Sequence, residues 1–167
     1  IVGALIEEGC RSFFVANIDE ALELRAAYAD IEITILNGFY ASAADLYPEH
    51  NLTPVLGSFM EIKGYRAMSE KAGRPLPAYL HFNARMNRLG LGGIEAEELL
   101  GDMSMLEGLD IKCVMSHFAC ADEVGHELNE TQYEVFAEIA AHFPNAKKSL
   151  ANSSGIFRDA KYHFDMV

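Results

Sequence analysis

The sequence predicts an α/β fold, an incomplete (β/α)8 barrel of the TIM type, and three observations carry that expectation. Seven short β-branched or aromatic runs alternate with helical segments, and repeated strand–helix units call for parallel strands covered by helices. No Gly-x-Gly-x-x-Gly follows any strand, so the dinucleotide-binding open sheet loses support against the barrel. The chain opens inside an amphipathic helical pattern, Ile1 to Cys10, which leaves one strand of a full barrel expected upstream. No linker or shift of composition divides residues 1–167, so they read as one partial barrel domain.

Each element has its own signal. Ser12 to Ala16 is a short apolar strand. Asn17 with Glu20 has the form of a capping box and opens a helix through about Tyr28. Ile31 to Leu36 is a β-branched strand, punctuated by Asn37-Gly38. A loop or short helix with Tyr40, Asp45 and Pro48 leads to the strand Thr53 to Gly57. Ser58 with Glu61 is a second capping box, and its helix runs to Gly73. Arg74-Pro75 breaks the chain before the strand Ala78 to Phe82. A helix follows from about Ile94 to Leu106, then a strand from Ile111 to Ser116. Asn129 with Gln132 reads as the cap of the next helix, whose buried stripe is Phe136, Ile139, Ala140 and Phe143. Lys148 to Ala151 is a strand, Asn152 to Gly155 a turn, and Tyr162 to Val167 a last strand.

Composition narrows the function. Half the residues are apolar, enough for a substantial core, and no apolar run approaches the ~18 residues of a membrane span. A formal net charge of −12 with no basic cluster argues against nucleic acid and against an anionic membrane surface. An anionic small molecule remains compatible, because a local site can be positive in an acidic protein. Three cysteines without framework spacing suit a reducing cytosol.

In a barrel the chemistry gathers at the C-terminal ends of the strands, which here are the loops 84–90, 117–122 and 152–155. Arg88 sits between Met86 and Leu89. Either its guanidinium faces an anionic partner that offsets desolvation, or its stem packs while its head reaches water. Asn152-Ser153-Ser154-Gly155 is a phosphate-binding turn or an ordinary N-cap. His117 is a hydrogen-bonded core histidine or, beside Asp122, the flank of a planar ligand. Cys113, His117 and Cys120 hint at zinc but lack a fourth ligand, so no metal is expected. His81, Cys113 and Met115 read as packing residues, and Asp122 and Glu123 as a solvated loop edge.

Four ordered motifs then carry a resemblance. Met86-Asn87-Arg88-Leu89-Gly90, Ser116 to Asp122, Ser149 to Gly155 and Tyr162 to Val167 together resemble the barrel domain of pyridoxal-phosphate-dependent alanine racemases. Phe13-Phe14-Val15-Ala16 and Pro54-Val55-Leu56 add smaller matches, and the likeness covers essentially the whole chain. The resemblance implies a cytoplasmic homodimeric enzyme that interconverts L- and D-alanine by two-base proton transfer and supplies D-alanine for peptidoglycan. It implies that the cofactor-bearing lysine lies upstream of Ile1. The second base, a tyrosine, would belong to a C-terminal β domain of the partner subunit. Residues 1–167 alone are therefore expected to be an inactive fragment.

Within the chain, the resemblance assigns Arg88 to the cofactor's phenolic oxygen and the substrate carboxylate. It assigns His117 to the neighbourhood of the pyridine ring, Ser153 to the phosphate, and Asn152 to the cofactor's surroundings. The family's arginine against the pyridine nitrogen would follow Val167. Two positions depart from the pattern: Asn83-Ala84-Arg85 stands where the family usually has Asp-Thr-Gly, and His81 where some members carry a lysine. Rival readings are a broad-specificity racemase, a D-threonine aldolase, an amino-acid decarboxylase, or a non-catalytic protein that binds pyridoxal phosphate.

Overall fold

The computed structural model describes residues 1–167. Six strands lie side by side in chain order: β1 (Ser12–Val15), β2 (Glu32–Ile35), β3 (Leu52–Leu56), β4 (Leu76–His81), β5 (Leu109–Met115) and β6 (Lys147–Ser149). Every neighbouring pair is parallel. β1 and β6 do not pair with each other, so the sheet is an open arc of a TIM-type barrel.

Strand alternation separates two faces. Ile33, Ile35, Leu52, Leu56, Leu76, Ala78, Leu80 and Val114 point to the helices and join the main core. Each fully buried aliphatic side chain there contributes about 1.5–3 kcal/mol. The concave face holds a smaller cluster of Val55, Tyr79 and Cys113, with Met115 and Met166 against it. The register of β4 against β5 shifts between Ala78 and Tyr79. Ala78 faces Ile111 and Tyr79 faces Cys113, so Lys112 is skipped, and it is exposed.

The helices α1 (Val2–Glu7), α2 (Ile18–Ala27), α3 (Leu46–Glu49), α4 (Phe59–Ala72), α5 (Ile94–Gly101), α6 (Glu127–Ala141) and α7 (Ser153–Ile156) occupy the connections. Both expected N-caps form, while the glutamates reach one residue further back, Glu20 to the Ala16 N–H and Glu61 to the Gly57 N–H. Asn17 Oδ1 accepts the Glu20 N–H at 3.1 Å, and Ser58 Oγ the Glu61 N–H at 3.3 Å. At the opposite end of the sheet from the candidate loops, Arg25 donates to five backbone carbonyls. These belong to Tyr28, Ala29, Ile31, His50 and Asn51, at 2.7–3.2 Å. One guanidinium thus ties the turn before β2 to the turn before β3.

The structure departs from the sequence expectation at four places. Tyr162 to Val167 is not a strand: a 3-10 turn covers Ala160–Tyr162, and one bridge joins Met166 to Ser149. The alternating aromatics pack on α6 instead, Tyr162 on Tyr133 and Phe164 on Tyr133 and Phe136. α6 starts earlier than expected, with His126 as its N-cap, and Asn129 and Gln132 are buried. The helix from Ile94 ends at Gly101, because Asp102 Oδ1 takes the Ser104 N–H and starts a separate 3-10 turn. Asn152 begins a short helix, α7.

Candidate active site

The C-terminal ends of β2, β3 and β4 surround a cavity of about 600 Å³ whose lining includes Gly38, Gly57, Glu61, His81, Arg88 and Gly90. Close backbone packing shapes it. Gly38 has φ +83°, and a Cβ there would stand 1.7 Å from Glu61 Oε1. Gly90, at φ +96°, passes so near His81 and Phe82 that a Cβ would come within 2.9 Å of their backbone. Glu61 is the sole carboxylate of the lining, and it is fully engaged. It accepts from Phe39 N–H (3.2 Å), Gly57 N–H (2.9 Å) and Ser58 Oγ (3.0 Å).

Arg88 is the only lysine or arginine lining this cavity. It is exposed and makes neither a salt bridge nor a side-chain hydrogen bond within the protein. The loop that presents it closes tightly. Asn83 N–H donates to Leu91 O (2.7 Å) and Leu91 N–H to His81 O (2.8 Å). Asn83 and Asn87 also pair through their side chains (3.0 Å), and Asn83 Oδ1 takes the Asn87 N–H (2.9 Å). Arg85 (φ 68°) and Asn87 (φ 57°) both adopt left-handed backbone. Asparagine tolerates that conformation and arginine does so at a cost. Arg85 is the residue standing where the resemblance places a glycine.

His81 and His117 neighbour the guanidinium. Burial, with the nearby His117 and Arg88, pushes His81 down to about 4. Burial and Arg88 likewise lower His117. Both imidazoles are therefore neutral near pH 7, and Arg88 supplies the positive charge of this rim. His81 corrects the sequence reading: it is not simply packed, since it lines the cavity. Its position two residues after Tyr79, at the end of a strand, is the signal that would have placed it on the concave face.

Gln132 was not legible as a site residue. It is fully buried on α6, and Nε2 donates to Ala84 O (2.8 Å) and His117 O (2.9 Å), while Oε1 accepts the Ala119 N–H (2.9 Å). Ser116 Oγ adds a second tie, donating to Phe82 O (2.7 Å) and accepting the Ala84 N–H (3.3 Å). The loops of Arg88 and His117 are thus held by one amide and one hydroxyl.

The third loop starts α7. Asn152 Oδ1 caps Gly155 N–H (2.9 Å) and its amide donates to Phe118 O (3.4 Å), so this side chain fixes the turn. Ser153 is exposed at the first helical position. Cys113 is buried in the concave cluster, and the described trio of metal-ligand type is Cys120, Glu123 and His126 rather than Cys113, His117 and Cys120. Asp122 and Glu123 are exposed, as expected of a solvated loop edge.

Of the sequence-predicted site residues, Arg88 lines the cavity, while His117, Asn152 and Ser153 stand outside its lining on the loops after β5 and β6. A parallel barrel arc with polar loops at the strands' C-terminal ends has the form of a barrel-enzyme scaffold. The comparisons with known proteins then give the family. The family model of the alanine racemase N-terminal domain matches residues 1–167, and the chain belongs to that family. It is 46% identical over 165 residues to an alanine racemase of Rickettsia rickettsii, covering 98% of this chain and 46% of that protein. An alanine racemase of Rickettsia akari is 44% identical with the same coverage. The crystal structure of alanine racemase from Bartonella henselae with covalently bound pyridoxal phosphate superposes with a TM-score of 0.94 at 35% identity. It covers all of this chain and 49% of that one. The chain spans about half the length of the curated relatives it matches.

Proposed function

We propose that this chain is the cofactor-binding barrel portion of a pyridoxal-phosphate-dependent alanine racemase, a cytoplasmic homodimer that supplies D-alanine for peptidoglycan. The observation that carries the reading is Arg88: an unpaired guanidinium on a strand-end cavity whose one carboxylate, Glu61, is already satisfied. An anionic ligand is what such a cation lacks, and the residues fit pyridoxal phosphate with an amino acid.

The cofactor, when bound, supplies an electron sink for charge developing at the amino acid's α-carbon. Arg88 would hold the substrate carboxylate and the cofactor's phenolic oxygen through charge-assisted hydrogen bonds. Neutral His117 would border the pyridine ring without adding a competing positive charge. Ser153 would donate its hydroxyl to the phosphate, beside free N–H groups of the first turn of α7, with Asn152 holding that turn in shape. The proton-transfer bases, a lysine and a tyrosine, are expected outside these residues, so residues 1–167 by themselves should not racemise alanine.

The test is Arg88→Lys in the full-length protein. A lysine keeps the charge but cannot make two parallel hydrogen bonds. The expected result is kcat/KM for alanine lower by about 10²–10³-fold with the cofactor's visible absorbance retained. Activity within a few-fold of the parent would remove Arg88 from the reading. Parallel assays with serine and D-threonine distinguish a racemase of broad specificity and an aldolase.

A further inference from the structure

Between β5 and α6 the chain makes three successive turns of one kind. Glu123 N–H donates to Cys120 O (3.0 Å), His126 N–H to Glu123 O (3.4 Å), and Asn129 N–H to His126 O (3.1 Å). Each such turn folds the chain back so that its first and fourth residues lie close together. The Cys120 thiol, a Glu123 carboxylate oxygen and a His126 ring nitrogen consequently lie within 4.8 Å of one another. Cys120 and His126 are half-buried and Glu123 is exposed, so the group is fixed on one side and open to solvent on the other.

Asn129 ends the same column and is 5% exposed. Its amide donates to Cys120 O (3.0 Å) and Glu123 O (3.3 Å), which orients Oδ1 as the free end. That oxygen is buried without a partner. A buried acceptor with no donor is costly, and it belongs to the side chain whose amide holds the Cys120 and Glu123 carbonyls.

We propose that Cys120, Glu123 and His126 bind a divalent transition-metal cation of the zinc class. Thiolate, imidazole and carboxylate form a donor set that zinc accepts, and water takes the fourth position. Ligand atoms sharing a tetrahedral zinc stand about 3.3–3.8 Å apart, so the trio closes by about an ångström around the ion. Forming the metal–sulfur bond sends the Cys120 thiol proton to solvent, so binding tightens as pH rises. His126 Nδ1 accepts the Leu128 N–H at 3.2 Å. Ligation through either ring nitrogen exchanges that cap bond for the metal bond, which couples the ion to the first turn of α6.

The experiment is a Co²⁺ titration of the full-length protein, read by absorption. One equivalent should produce a thiolate-to-cobalt charge-transfer band that Zn²⁺ then abolishes. Cys120→Ser should remove the band, and Cys10→Ser should leave it unchanged. Glu123→Gln and His126→Gln should each weaken binding at least about tenfold, the loss typical of even an outer-shell partner. Amide exchange at Leu128 should accelerate when Zn²⁺ is added. No band at stoichiometric Co²⁺, or a band that survives Cys120→Ser, overturns the site. If Cys120→Ser does not fold, the exposed Glu123→Gln decides, and unchanged affinity there overturns the site equally.

Discussion

His81 carries a pH dependence whose direction follows from its surroundings. Its folded value of about 4 lies below the ordinary histidine value of 6.5, so as pH falls the unfolded chain takes up the proton first. The stability that depends on a neutral His81 is complete above about 6.5 and declines as pH falls through this window. Below the folded value it stops changing. Proton NMR of the ring should show a midpoint near that folded value, and His81→Asn should flatten the fall of the urea midpoint between pH 7 and pH 5. A ring titrating at the ordinary value would refute the burial of this side chain, the largest cause of its lowered value. Arg85 offers a second residue-scale test. A non-glycine residue in left-handed backbone costs about 1–2 kcal/mol, and glycine returns part of that through unfolded-chain entropy. Arg85→Gly should therefore raise unfolding stability by about 0.5–1 kcal/mol without moving Arg88.

At the scale of elements, Gln132 makes α6 the brace of the site. Gln132→Met keeps the volume but leaves the Ala119 N–H and the Ala84 and His117 carbonyls without their partner, at a cost of about 2–4 kcal/mol. Exchange at Ala119 should rise well before global unfolding; unchanged protection there would deny Gln132 this part. Strands β1 to β5 were legible because β-branched and apolar runs declare themselves locally, as did the caps at Asn17 and Ser58. The loops bearing Arg88 and His117 follow β4 and β5, and that of Ser153 follows β6, so each was legible as the end of a strand. Gln132 was not, since its partners lie 13–48 residues away and a buried glutamine has no local signature. Tyr162 to Val167 misled for the opposite reason: a period-two aromatic pattern suits a strand equally well as a segment whose rings lie on α6.

For the whole molecule, the open arc leaves two sheet edges that differ: β6 is partly covered by Asp165 and Met166, whose N–H groups donate to Lys148 O, and β1 pairs with β2 alone. β6 carries Lys147 and Lys148, charges of the kind that keep an edge from pairing with another chain. β1 reads Ser-Phe-Phe-Val and carries none. The net charge of −12 opposes association broadly but does not shield that strand. The purified 167-residue chain should therefore self-associate through β1 as concentration rises, and Phe14→Lys should return it to monomer in sedimentation. A wild-type chain that sediments as monomer throughout would refute this. The same sheet has a consequence in time as well as space. Strand order repeats chain order, so every strand after the first meets a neighbour that has already been synthesised. Such a sheet can be laid down one ribosomal increment at a time, each unit docking on its predecessor without waiting for any distant part of the polypeptide.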